Sequence, residues 1–166
     1  MNQIKKRDWE RIAEALYLLV LASTFGAILV LGIFTAGTVF NSEISLGEEL
    51  LSHYQEGLIM TTIFLKFHSW LYFLIVSIVL FESYNYKSMA RDNTIIMSSF
   101  VVIATSLLFT DFYTPQVLEL QSLGEDVTSS EIFHKVHLGS EIDFKILAVA
   151  LLVLFGRRVW LRMRVN

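Results

Sequence analysis

The chain of 166 residues contains no cysteine and one proline, and only 17% of its residues are charged. The absence of cysteine excludes disulfides, thiolate metal sites, iron–sulfur clusters and cysteine nucleophiles. Water-soluble domains carry roughly 25% charged residues. The deficit, together with 54% hydrophobic residues, indicates a membrane protein. A formal charge of −3 gives no support for nucleic acid as a partner.

Four apolar runs predict the architecture. Their bounds are roughly 12–36, 58–81, 94–114 and 134–160. Each is near the ~20 residues that a helix needs to cross a bilayer. We therefore expect a single all-α domain over 1–166, a bundle of four transmembrane helices with outer loops at 41–57 and 115–131. We expect the lipid bilayer to be its partner. The chain is predicted to be a multi-pass membrane protein, located in the inner membrane if the source is bacterial.

The positive charges indicate an orientation for these helices. All of the 13 lysines and arginines except Lys66, Lys135 and Lys145 lie before the first run, between the second and third, or at the end of the fourth and just after it. The loops 41–57 and 115–131 carry acidic residues and no lysine or arginine. By the positive-inside rule, both termini and the middle loop are predicted to be cytoplasmic.

The polar side chains of the fourth run are the main candidates for a functional site. Ionisable groups inside a membrane usually face the bundle interior and are functional candidates by default. Spacings of i, i+3, i+7 and i+11 place four of them in one stripe. The stripe consists of His134, His137, Glu141 and Lys145, with Ser140 beside it. Asp143 lies about 200° around the helix from Glu141, so we expect it to face elsewhere. Ser129 or Ser130 is predicted to cap the start of this helix.

A shallow group of these residues is a candidate metal site. Asp111, at the outer end of the third run, lies at a depth similar to that of His134 and His137. Two imidazoles one turn apart and a carboxylate suit zinc or copper(II), so these three residues are the candidate metal ligands. A bis-histidine haem site would use His68 and His137. Their depths differ by about 9 Å, which disfavours haem.

A deeper group is predicted to connect the second and fourth helices. Lys66 and His68 lie at a depth similar to that of Glu141, and we expect one of them to pair with this carboxylate. Lys145 then remains for Asp143 or for another partner. An alternative stays open, in which these charges only hold the helices in register.

No motif of a soluble enzyme is present, since GxSxG, Walker, GxGxxG and HExxH patterns are all missing. A role other than enzyme catalysis is therefore favoured. The polar residues predict a protein that handles an ion or a small solute near the outer leaflet. The alternative is a non-transporting accessory subunit of a membrane complex, whose histidines bind a metal or haem. Besides the bilayer, the expected partner is a second copy of the chain or another subunit of a membrane complex.

Four segments carry a resemblance to a known family. They are GAILVLGIFTAGTVF (26–40), IFLKFH (63–68), DFYTPQVLEL (111–120) and FHKVHLGSEIDFKILAVALLVLFG (133–156). Together they resemble the DUF4149 or TMEM205-like membrane proteins, whose last helix carries H-x-x-S, here His137 and Ser140. The chain departs from the family pattern at Leu65, His68 and Asp111, where proline, an aromatic and a basic residue are usual. The resemblance implies a four-helix membrane protein. One branch is associated with platinum-drug resistance, which implies trafficking or transport.

Overall fold

A computed structural model describes the protein over residues 3–47, 50–88 and 92–165. Helices make up nearly all of this part of the chain, and it contains no β-strand, which confirms the predicted all-α fold. In chain order the elements are α1 (Gln3–Leu29), the π-helical segment π1 (Val30–Thr35), α2 (Ala36–Val39), α3 (Ser42–Leu46), α4 (His53–Ser88), α5 (Asn93–Leu107), the π-helical segment π2 (Leu108–Tyr113), α6 (Thr114–Ser122), α7 (Glu125–Thr128) and α8 (Glu131–Val165). Glu48, Glu49 and Arg91 of the predicted loops lie outside the described residues.

The elements form four long helical rods, and each rod contains one of the predicted apolar runs. Three of the rods are long and apolar enough to cross a membrane, namely Asp8–Val39, His53–Tyr86 and Asn93–Ser122. Helix α8 is long enough but not apolar enough to be counted with them, because its uncharged stretch covers only residues 146–156. That stretch is about 16 Å long, roughly half the thickness of a hydrocarbon core. Three candidate spans are therefore present in the described part of the chain, where the sequence predicts four.

The third rod extends further than the sequence predicts. We expected it to end at residue 114, yet it continues through Pro115 to Ser122. A proline normally interrupts a helix, because it lacks an N–H group and clashes with the preceding turn. Here the wider turn of π2 precedes it, and Thr114 Oγ1 donates to the carbonyl oxygen of Phe109 at 2.8 Å. Most of the predicted outer loop 115–131 is therefore helical.

The first residues of α4 and α8 can be compared with the predicted loops and caps. Helix α4 begins at His53, so the predicted outer loop 41–57 is shorter than expected. Helix α8 begins beside Ser130, whose Oγ accepts a hydrogen bond from the backbone N–H of Phe133 at 3.3 Å. The predicted serine cap is confirmed at this residue.

Aliphatic side chains at helical spacing form the core. Those without any exposed surface include Leu21 of α1, Leu71 of α4, Val102 of α5 and Leu151 of α8. Many large apolar side chains point outward instead, among them Phe34, Leu80, Phe100 and Val149. Water-soluble proteins rarely expose apolar surface on this scale, so the outer faces of the bundle fit a lipid bilayer.

Candidate functional site

A cleft of about 1040 Å³ opens at the end of the bundle where α4 begins and α6 ends. Its walls come from α1, π1, α2, α4, π2, α6, α7 and α8. Helix α8 contributes the whole predicted stripe. The side chains that line the cleft from this stripe are His134, His137, Ser140, Glu141 and Lys145. Five of the eight predicted site residues therefore face one common space.

Three phenylalanines form an apolar wall of the cleft. Phe64 of α4, Phe109 of π2 and Phe144 of α8 all line it. The ring centroid of Phe64 lies 5.3 Å from those of Phe109 and Phe144, and the last two rings are 5.0 Å apart. The cleft thus combines an apolar wall with the polar stripe, and two helices that border it contain π-helical turns. Such turns occur often at functional sites.

Gln121 brings a buried polar group to the same cleft. Its side chain is only 3% exposed, and its Oε1 atom has no hydrogen-bond partner among the described residues. Gly57 leaves space for this side chain, since a Cβ atom there would lie 3.4 Å from Gln121 Nε2. Tyr54 fixes the backbone by donating from Oη to the carbonyl oxygen of Gln121 at 2.8 Å. A buried acceptor without a donor costs about 1–3 kcal/mol, which a bound N–H or O–H group would offset.

The sequence did not indicate Gln121 as a site residue, because position 121 falls in the predicted outer loop 115–131. Its burial arises only when α6 packs on α4, and no local pattern signals that contact. His53 is a second residue of the cleft that the sequence did not select. Its Nδ1 lies 3.1 Å from Oε2 of the buried Glu56. The other carboxylate oxygen, Oε1, accepts a hydrogen bond from Ser42 Oγ at 2.6 Å.

Asp111 lies apart from the cleft, on the outward side of π2. Its Oδ1 accepts a hydrogen bond from Tyr72 Oη of α4 at 2.5 Å. The structure therefore does not bring Asp111 together with His134 and His137. Within the described ranges no group of three or more His, Cys, Asp or Glu side chains is arranged to hold a metal. The predicted three-ligand metal site is not formed, because Asp111 faces α4 while the two histidines face the cleft.

His68 and His137 also occupy separate places. His68 Nε2 lies 3.2 Å from Thr114 Oγ1, and its ring packs edge-on against Phe109. The ring of His137 stacks on Phe133 of its own helix and lines the cleft, which His68 does not. The pair of axial ligands that a bis-histidine haem requires is therefore not assembled from these two residues.

The predicted pairing of Glu141 with Lys66 or His68 is wrong. Glu141 Oε1 accepts instead from Lys145 Nζ at 2.6 Å, one turn further along the same helix. Lys66 is exposed and has no ion-pair partner among the residues that the structure describes. Since Lys145 binds Glu141, the predicted pair of Lys145 with Asp143 is not formed either.

A polar network that the sequence did not predict lies at the opposite end of the bundle. Glu82 of α4 accepts hydrogen bonds from Tyr17 Oη at 2.7 Å and from Arg158 Nε at 3.1 Å. A second nitrogen of Arg158 forms an ion pair with the same carboxylate. The guanidinium also lies 5.2 Å from the ring centroid of Phe81. These contacts connect α1, α4 and α8.

Two further ion pairs extend this network. Asp92 caps α5 by accepting from the backbone N–H of Ile95 at 3.1 Å, and it also binds Arg157 Nη2 at 2.7 Å. The hydrogen bonds from Arg157 hold the pKa of Asp92 below its ordinary value. Arg162 of α8 pairs with Glu14 of α1. In the sequence these arginines indicate only the orientation of the helices, because their partners are distant in the chain.

The long apolar helices and the outward apolar faces define a small α-helical membrane protein. A family described as a domain of unknown function (DUF4149) matches residues 19–126, so the chain belongs to the DUF4149 family. The match ends before α8 begins, so the resemblance of α8 and the narrower TMEM205-like assignment stay predictions. No curated protein and no solved structure matches the chain.

Proposed function

We propose that the protein binds a small organic solute in its cleft. The observation that carries this proposal is Gln121, a buried residue of the cleft lining whose amide oxygen has no hydrogen-bond partner among the described residues. The volume of about 1040 Å³ is close to the upper end of the ~300–1,000 Å³ typical of small-molecule sites. A bare ion would leave most of this space empty, so an organic solute is favoured over an ion.

The lining indicates which chemistry the solute has. Phe64, Phe109 and Phe144 provide contact for an apolar group. Gln121 Oε1 accepts from an N–H or O–H group of the solute. The imidazoles and the Glu141–Lys145 pair line the polar part of the cleft. An amphiphilic molecule with one hydrogen-bond donor near an aromatic or aliphatic group satisfies all of these features.

We also propose that α8 is the fourth span of a single domain, and that both termini lie in the cytoplasm. Support comes from Leu147, Leu151 and Leu154, which have no exposed surface and place α8 within the bundle. The arginines near its end pair with residues of α1, α4 and the start of α5. In this orientation the cleft opens at the outer leaflet, where a solute from outside reaches it.

Access to the cleft can be tested with single cysteines, since the natural chain has none. Ser140→Cys places a thiol in the cleft, and Thr62→Cys places one on the outer face of α4. Both positions lie nine residues after the start of their helix, so they are matched in depth. A small charged methanethiosulfonate reagent should modify Ser140→Cys about tenfold faster, because lipid excludes the ionised reagent. Equal rates would contradict an open, water-filled cleft.

Binding itself can be tested by the melting temperature of the purified protein. A panel of small amines and alcohols with one apolar ring should contain compounds that stabilise the wild type, because binding only the folded state raises stability. Gln121→Leu should abolish that stabilisation. Gln116→Leu is the control, since Gln116 lies on the same helix and donates to its own backbone at Phe112. The same stabilisation in Gln121→Leu as in the wild type would contradict the assigned role of Gln121.

A further inference from the structure

Asp143 is an acidic group in the interior of the bundle that the cleft does not include. Its side chain is 5% exposed, and Oδ2 has no hydrogen-bond partner in the described part of the chain. It shares a face of α8 with Leu147, Ala150 and Leu154, all of which are buried. The carboxyl group therefore points into the core, away from the exposed Glu141–Lys145 pair on its own helix.

The elements that pack against α8 offer Asp143 no ion-pair partner among the described residues. They are α1, α4, α5, π2, α6 and α7. On α4 the cations near this depth are Lys66, whose side chain is exposed, and His68, whose Nε2 lies 3.2 Å from Thr114 Oγ1. Residues 18–39 and 93–110 contain no ionisable side chain. The ionisable groups of π2, α6 and α7, apart from the phenol of Tyr113, are acidic and exposed; they are Asp111, Glu119, Glu125 and Asp126. Asp143 thus faces a hydrophobic interior without a lysine, arginine or histidine to neutralise it.

A second orphaned oxygen lies at a similar depth on α5. Asp92 meets Arg157 at one end of the α5–α8 pair, and Tyr113 approaches Gly139 at the other. The two helices have the same rise per residue, so counting from these two contacts gives the residues that lie opposite each other. Position 143 of α8 lies level with about residues 106–109, at the end of α5 and the start of π2. Ser106 has no exposed surface, and its Oγ has no hydrogen-bond partner among the described residues. The interior here is polar only at isolated atoms.

An ionised carboxylate in such surroundings is strongly disfavoured, because it loses its hydration and gains no partner. It must bind a cation, and the candidates are a proton and a metal ion. Sodium and other hard cations need several oxygen ligands around them. Oδ2 has no hydrogen-bond partner among the described residues, and no group of three or more potential metal ligands is assembled in the same part of the chain, so the geometry favours the proton. We infer that Asp143 is a proton-binding site inside the bundle, separate from the cleft.

Infrared spectroscopy of the full-length protein in membranes tests this inference. A neutral carboxyl group has a C=O stretching band that an ionised carboxylate lacks. Near neutral pH the exposed carboxylates are ionised, so they give no such band. The wild type should show the band, Asp143→Asn should lose it, and Glu141→Gln, a change of the exposed carboxylate two residues away, should keep it. Identical spectra for the wild type and Asp143→Asn would overturn the inference.

Two further measurements distinguish the remaining explanations. Asn has the shape of a protonated Asp, so Asp143→Asn should fold and melt within about 3 °C of the wild type. A variant that fails to fold would show that the charged form is needed, and it would overturn the inference. Addition of sodium chloride should leave the band of the wild type unchanged relative to choline chloride. Loss of the band in sodium alone would identify a sodium site and overturn the proton assignment.

Discussion

Gly139 allows the ring of Tyr113 to lie directly against helix α8. A Cβ atom at position 139 would be 2.7 Å from Cε1 of this ring and 3.1 Å from its Oη. Real Cβ atoms do not approach other atoms so closely, so Gly139→Ala must displace the tyrosine. Overpacking of this kind costs about 1–3 kcal/mol, and we expect the melting temperature to fall accordingly.

Gly156 of the same helix provides the control for this prediction. A Cβ atom there would meet nothing within 4 Å. Alanine is also favoured over glycine in a helix by up to ~1 kcal/mol, so Gly156→Ala should leave the melting temperature unchanged or raise it. Tyr113→Ala combined with Gly139→Ala should recover part of the loss, because the obstructing ring is gone. Similar melting temperatures for the two glycine variants would refute the close approach.

The contrast between Glu141 and Asp143 shows what helical spacing can and cannot predict. The interval of about 200° correctly separated the two side chains. It does not indicate which of the two faces the core. The prediction placed the functional site on the stripe of Glu141, because that stripe has more polar groups. The helical spacing of Asp143 with Leu147, Ala150 and Leu154 is the sequence pattern that indicates its burial. The pairing of Glu141 could not be predicted, since the spacing is compatible with a partner on α4 and with one on α8.

The Glu82–Arg158 pair is the main polar connection between α4 and α8. Its side chains are only 16% and 10% exposed, and Tyr17 of α1 bonds to the same carboxylate. Removing one charge of a buried pair leaves the other without a partner, at a cost of about 3–5 kcal/mol. We therefore expect Arg158→Met to lower the melting temperature strongly. Arg158→Met with Glu82→Gln should regain much of that loss.

A matched change on the same helix distinguishes this pair from an ordinary surface pair. Lys145→Met breaks the contact with Glu141. In this pair the side chain of Lys145 is 70% exposed and that of Glu141 is 50% exposed. Such exposed pairs contribute ~0–1 kcal/mol, so this variant should melt close to the wild type. Thermal unfolding of the four proteins in one detergent is the measurement. If the double variant is no more stable than Arg158→Met alone, the coupling between Glu82 and Arg158 is absent.

The places of the long helices in the chain followed from the sequence better than their ends did. Uninterrupted apolar runs predict helices in lipid, because a backbone in a membrane must satisfy its own hydrogen bonds. Each run does lie within a long helix. The extension through Pro115 could not be predicted, since it depends on the π-helical turn of π2 and on the hydroxyl of Thr114. Neither feature has a sequence pattern that distinguishes it from an ordinary helix end.

The number of spans determines which side of the membrane holds the C-terminus. Three spans place the N-terminal end of α1 and the C-terminal end of α8 on opposite sides, whereas four place them on the same side. The short uncharged stretch of α8 argues for three, because Glu141, Asp143 and Lys145 would lie within the bilayer. Burial of Asp143 and pairing of Glu141 with Lys145 reduce this cost. The ion pairs of α8 with α1, α4 and α5 also favour a fourth span within the bundle.

Single cysteines at Ser122, Ser88 and Met163 test the topology. A membrane-impermeant maleimide applied to intact cells should label Ser122→Cys only, since segments rich in lysine and arginine stay in the cytoplasm and the segment around Ser122 has neither. All three should react after the cells are permeabilised, which controls for expression and for access to each thiol. Labelling of Met163→Cys together with Ser122→Cys would show that α8 does not cross the membrane. Labelling of Ser88→Cys and Met163→Cys without Ser122→Cys would keep four spans and reverse their orientation, so that the cleft opens to the cytoplasm.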